Sequence, residues 1–179
     1  MNPGSDQIVI TLNGVRRDAT VDRRKLLVEA LREDFETTGP KVGCATGDCG
    51  ACTVLMDGEI RKSCLEFAVA ANGSVITTLE GISNGELTPL QEAFWDEYAF
   101  QCGFCLSGML FSAQDLIDRV PNPTDPEIRA AISGNLCRCT GYDTIVNAIR
   151  RAALGNGATT RDPPSIEESE DGKSVSPSP

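Results

Sequence analysis

Hydrophobic positions along the chain change their period near residue 81. Before that point strand-like alternation prevails, interrupted by one helical stretch; after it apolar residues recur at helical spacing. Residues 7–13 (QIVITLN) place Ile8, Ile10 and Leu12 on one face of a strand. Asn13-Gly14 is a hairpin turn signal, and Val15 to Val21 supplies the returning strand. Lys25 to Asp34 then puts Leu26, Leu27, Ala30 and Leu31 on one helical face, with Asp22 as the expected N-cap and Gly39-Pro40 as the stop. A loop rich in Gly and Ala, Gly43 to Cys52, leads into a strand at Thr53–Met56, a turn at Asp57-Gly58 and a further strand at Ser74–Leu79.

Beyond Gly81 the signals are helical. Thr88-Pro89-Leu90-Gln91 is a capping box opening a helix through about Tyr98. Met109, Leu110, Ala113, Leu116 and Ile117 mark a second helix that stops near Pro121. A second capping box, Thr124 to Glu127, opens a third that ends at Gly134. Asp143 caps a fourth, with Ile145, Val146, Ile149 and Ala152 or Ala153 inward. Strands followed by helices predict an α+β chain. The expected units are a sheet domain over 1–81 and a four-helix bundle over 82–154, followed by a disordered tail rich in Pro, Ser and acidic residues over 155–179. Phe94, Trp95, Tyr98 and Phe100 fit a core role at helical spacing, and Arg16, Arg17, Arg23, Arg24 and Lys25 read as a solvated face.

Composition adds the chemistry. The 179 residues contain eight cysteines and no histidine. The absence of His removes Rieske ligation, His-held haem, mixed Cys/His zinc sites and His-based triads. A net charge of -10 excludes nucleic acid as partner, which needs clustered cations on phosphate. No apolar run is long enough to span a membrane, and the N-terminus lacks the layout of a signal peptide. A cytoplasmic location is therefore expected, where thiols stay reduced and bind metal rather than pair as disulfides.

The cysteines form two sets of four. Cys44, Cys49, Cys52 and Cys64 read C-x4-C-x2-C followed by a distant fourth, the plant-type ferredoxin spacing for a 2Fe–2S cluster. By analogy with that spacing, a sheet crossed by one helix with a metal loop after it is a β-grasp, ferredoxin-like domain. Gly43, Gly47 and Gly50 would let the loop wrap the cluster and bring backbone N–H groups to the sulfurs. The second set is Cys102, Cys105, Cys137 and Cys139. Cys102 and Cys105, with Gly103 between them, are expected on one turn at a helix start, where free N–H groups face an anionic cluster. Cys137 and Cys139 cannot share a helix face and must lie in the break between Gly134 and Gly141. Zinc is the weaker alternative, since its ligands come as paired C-x2–4-C knuckles.

With both sets placed, the chain resembles the small iron–sulfur subunit of the xanthine oxidase (molybdenum hydroxylase) family, in particular the separate small subunits of CO dehydrogenase-type, aldehyde and N-heterocycle dehydrogenases. The resemblance is carried by GCATGDCGACTV (43–54), RKSC (61–64), ITTLEG (76–81), QCGFC (101–105) and GNLCRCTGY (134–142). Leu106-Ser107 departs from the family's Thr-Pro. The resemblance implies two 2Fe–2S clusters here and a molybdopterin, as its cytosine dinucleotide, in a large partner subunit that hydroxylates a C–H bond. It implies that Gln101 and Cys139 contact the pterin, and that electrons leave by the first cluster to FAD in a medium subunit or to an external acceptor. No substrate-converting residue is expected in this chain. The rival is a free-standing ferredoxin-like carrier, which would need only the first quartet.

Overall fold

The computed structural model describes residues 4–83 and 85–155. The expected disordered tail lies outside the described residues from 156 onward. Five strands make one mixed sheet: β1 (Ser5–Leu12), β2 (Val15–Asp22), β3 (Thr53–Met56), β4 (Glu59–Lys62) and β5 (Val75–Thr77), in the order β2-β1-β5-β3-β4. β1 and β5 run parallel, and every other neighbouring pair is antiparallel. Both predicted hairpins are present, and both use left-handed turn residues. Asn13 and Gly14 have φ of 51° and 80°, and Asp57 and Gly58 have 52° and 83°.

The alternation in β1 buries Ile8, Ile10 and Leu12, which pack on α1 (Leu27–Glu33) through Leu27, Ala30 and Leu31. Phe35, Val54 and Ile76 close this core. Asp22 does not cap the helix. Its carboxylate instead accepts from the Arg24 N–H at 2.8 Å, while the Glu29 side chain reaches back to the Leu26 N–H at 2.9 Å and starts the helix later. The last strand is shorter than its pattern. The Thr78 N–H turns to the Asn13 side chain at 2.9 Å, and Leu79–Gly81 forms a 3-10 turn. β4 is an edge strand of sequence EIRK whose polar residues carry no alternation signal.

Four helices follow: α2 (Pro89–Asp96), α3 (Leu106–Arg119), α4 (Asp125–Ala131) and α5 (Asp143–Ala153). Both capping boxes are formed; in the first, Gln91 N–H donates to Thr88 Oγ1 at 3.3 Å and Thr88 N–H to Gln91 Oε1 at 2.8 Å. Asp143 is the first residue of α5, and the cap position is Tyr142 in a left-handed conformation. Phe94, Met109, Ile128, Ile145 and Ile149 anchor a second core, separate from that of the sheet. The core expectation for the aromatic run holds for Phe94, while Phe100 packs partly buried against that core. Trp95 is 65% exposed and Tyr98 82%. Trp95 follows the buried pair Ala93 and Phe94 and lies about 100° further round the helix, which carries it to the solvent side. Tyr98 lies past the helix end with φ of 51°.

The basic face is also less uniform than expected. Lys25 is largely buried and paired with Glu33 and Asp34. Arg17 lies 5.6 Å from the Phe35 ring centre and donates to the Phe35 carbonyl. No helix among the described residues is long and apolar enough to cross a membrane.

Candidate metal centres

Three ligands of the first quartet lie in the loop between α1 and β3, and the fourth, Cys64, in the 3-10 turn after β4. Lys41 N–H bonds to the Ala51 carbonyl at 2.9 Å and closes the loop that carries Cys44 and Cys49. The Cys44 sulfur accepts from the N–H groups of Thr46 and Cys49, each at 3.4 Å. The Thr46 side chain, then these two N–H groups, bring the Cys44 thiol down to about 6. Cys52 and Cys64 are buried against Val28. Ser63, at the 3-10 turn after β4, holds them together by donating from its hydroxyl to the Cys52 carbonyl at 2.6 Å. Burial, helped by the Cys64 thiol and opposed by a hydrogen bond from the Cys64 backbone, pushes Cys52 up to about 11.

The loop glycines serve different needs. Gly47 and Gly50 adopt positive φ, but Gly43 does not; a Cβ there would sit 2.8 Å from the Cys49 sulfur. The N–H groups that reach the Cys44 sulfur belong to Thr46 and Cys49 rather than to the glycines.

The second quartet joins α3 to the link before α5. Cys105 is the N-cap of α3, and Gly103, with φ of 74°, turns the chain so that Cys102 lies in the preceding loop rather than in the first helical turn. The sulfurs of Cys102 and Cys139 are 3.5 Å apart, and both residues are exposed. Cys105 is buried, which, with the charge of Cys137, pushes its thiol up to about 12. At Cys137 burial raises the thiol, but hydrogen bonds from Thr140 outweigh it and the net shift is downward. The Cys137 N–H donates to the Tyr142 hydroxyl at 2.8 Å, which donates in turn to the Asn135 carbonyl at 3.1 Å. Gln101 Nε2 donates to the Cys139 carbonyl at 3.2 Å, so these two predicted residues lie together at the surface.

The two loops are in direct contact. Leu136 N–H donates to the Cys49 carbonyl at 2.9 Å, and Lys62 Nζ to the Gly134 carbonyl at 2.7 Å. Tyr142, Ser63, Thr140 and Asn135 were not singled out by sequence reasoning; the capping and turn positions of Tyr142 and Thr140 near Cys137 are the only local hints. Among the described residues, no three Cys, Asp or Glu side chains converge as for a single ion. The thiols instead approach in twos, Cys52 with Cys64 and Cys102 with Cys139. An all-thiolate donor set, paired sulfurs and backbone N–H groups aimed at sulfur suit a 2Fe–2S cluster, in which two cysteines serve each iron.

Comparison with known proteins agrees with this donor chemistry. A family model described as a 2Fe-2S iron-sulfur cluster binding domain matches residues 10–78, and a second, described as a 2Fe-2S binding domain, matches 78–150. The fold and sites thus define a protein with two 2Fe–2S domains. The chain is 52% identical to the nicotine 6-hydroxylase small subunit of Paenarthrobacter nicotinovorans, over 84% of this chain and 92% of that one. It is 47% identical to the nicotinate dehydrogenase small FeS subunit of Eubacterium barkeri, over 81% and 93%. The crystal structure of quinoline 2-oxidoreductase from Pseudomonas putida 86 matches with a TM-score of 0.81 at 47% identity, over 84% of this chain and 94% of that one. The chain belongs to the small iron–sulfur subunits of the xanthine oxidase family, the molybdenum hydroxylases.

Proposed function

We propose that Cys44, Cys49, Cys52 and Cys64 hold one 2Fe–2S cluster and Cys102, Cys105, Cys137 and Cys139 a second. On this reading the chain relays electrons from a molybdopterin site, as the cytosine dinucleotide, in a large partner subunit toward FAD in a medium subunit or an external acceptor. A bound cluster supplies a one-electron couple whose potential is set by hydrogen bonds to its sulfurs and by solvent exposure. Thr46 and Cys49 donate such bonds to Cys44. Gln101 and Cys139, hydrogen-bonded to each other at the surface, present the second quartet to the pterin. The Leu136-to-Cys49 hydrogen bond gives a short covalent-and-hydrogen-bonded route from Cys137 to Cys49.

The observation that carries this polarity is the asymmetry of the second quartet. Cys102 and Cys139 are exposed, whereas Cys105 is buried and Cys137 lies one residue from the contact with the first loop. The three relatives described above are named for nicotine, nicotinate and quinoline, all N-heteroaromatic compounds, and because they are more identical to this chain than the aldehyde oxidoreductases it also matches, the same substrate class is proposed for this complex. We propose domains over 1–81 and 82–154 and a cytoplasmic location, in keeping with the two family models matched at 10–78 and 78–150. Purification of the complex tests the proposal. Two distinct 2Fe–2S EPR signals with co-purified molybdenum are expected. A chain isolated alone with full redox competence, or a colourless zinc protein, contradicts it.

A further inference from the structure

The seam between the two cysteine loops is built without side-chain tolerance. Gly108, in the first turn of α3, is buried, and a Cβ added there would lie 2.0 Å from the Gly50 carbonyl oxygen. A Cβ at Gly50 would lie 2.1 Å from Asn135 Oδ1 and 2.5 Å from the Gly134 carbonyl. Asn135 is 2% exposed, and its Nδ2 donates to Ser112 Oγ on α3 at 2.7 Å. The Thr53 hydroxyl and N–H fix the Gly50 carbonyl from the sheet side, at 2.7 and 3.1 Å. Gly50 follows Cys49, and Asn135 is two residues before Cys137. Backbone therefore meets backbone where each loop is adjacent to its ligands. The one side-chain end in the seam, the Asn135 amide, is buried and tied to Ser112, so little is free to absorb a change.

We infer that Gly108 and Asn135 are positioning residues that set the separation of the two clusters. The inference rests on the two-cluster reading above. A Gly108→Ala methyl must open the seam by roughly 1 Å before its contact reaches the 3.0 Å below which real Cβ atoms are essentially never found. That movement separates the two loops while the ligands within each quartet keep their own arrangement.

The test is low-temperature EPR of the fully reduced, assembled complex, in which the two paramagnetic clusters split each other's signals. That magnetic interaction falls with the cube of their separation. Gly108→Ala should narrow the splitting while each cluster keeps its own g-values in the half-reduced state. Gly134→Ala is the control, since its Cβ would meet only Lys62 Nζ at 3.5 Å, and should leave the splitting unchanged. An assembled Gly108→Ala complex with wild-type splitting overturns the inference, as does an equal effect of Gly134→Ala. Should Gly108→Ala fail to assemble, Asn135→Ala decides: altered splitting with retained g-values supports the inference, and wild-type splitting refutes it. Absence of one signal in the unmodified complex would instead refute the two-cluster reading itself.

Discussion

Tyr142→Phe removes one oxygen that serves two backbone groups of the second quartet's loop. The hydroxyl accepts the Cys137 N–H at 2.8 Å and donates to the Asn135 carbonyl at 3.1 Å. The ring stays packed against the helical core, so the substitution isolates these hydrogen bonds. At about 1 kcal/mol net for each bond, the loss comes to about 2 kcal/mol. With a urea dependence of about 2 kcal/mol per M, the unfolding midpoint of the helical unit should fall by about 1 M, read by far-UV circular dichroism. The Cys137 N–H is also released next to a proposed ligand sulfur, so the EPR signal of the second cluster should shift while the first is unchanged. An unaltered midpoint together with an unaltered second signal would refute the role given to Tyr142. Equal movement of both signals would refute its locality.

Cys102→Ser should abolish one of the two EPR signals and Cys64→Ser the other, each leaving its counterpart; retention of both signals in either variant would remove that cysteine from the ligand set. Ile149→Ala, at a fully buried position, should destabilise the helical unit by about 2–5 kcal/mol in urea unfolding, and a cost under about 1 kcal/mol would contradict the packing described. Glu80 gives a pH prediction. Burial raises its carboxyl, but hydrogen bonds from Thr78 and from the Glu80, Gly39 and Thr38 backbones outweigh it, so its folded pKa is lowered. Its stabilisation is therefore complete above the unfolded value of about 4.3 and is lost as pH falls through the lower folded value. Glu80→Gln should be less stable than wild type at pH 7, and that difference should shrink on acidification; a constant difference would contradict this.

Much of the architecture could be read from local signals. Ile8, Ile10 and Leu12 alternate because one face of β1 is buried, and both hairpins carried residues suited to left-handed turns. Thr88 and Gln91 mark their helix start by chemistry that acts within four residues. What was not legible depends on distant partners. Asp22 has the right identity for a cap, but the Glu29 side chain occupies that role first. β4 exists because β3 offers it an edge, which no residue of EIRK reports. Tyr98 looked like a core residue because helical period was extended past the true helix end, whereas Trp95 lies within the helix on its solvent side. At the candidate site, cysteine spacing identified the donors but not what surrounds them. Gly108 and Asn135 acquire their roles only where the two cysteine loops meet, and Tyr142 only where the 135–137 segment turns back onto its hydroxyl.

The proposed relay depends on two electronically connected 2Fe–2S clusters in one chain. Spin-quantified EPR of the dithionite-reduced complex tests it most directly. Two 2Fe–2S signals of equal integrated intensity are expected, with mutual splitting when both are reduced. A single signal, or two that show no magnetic interaction, would contradict it.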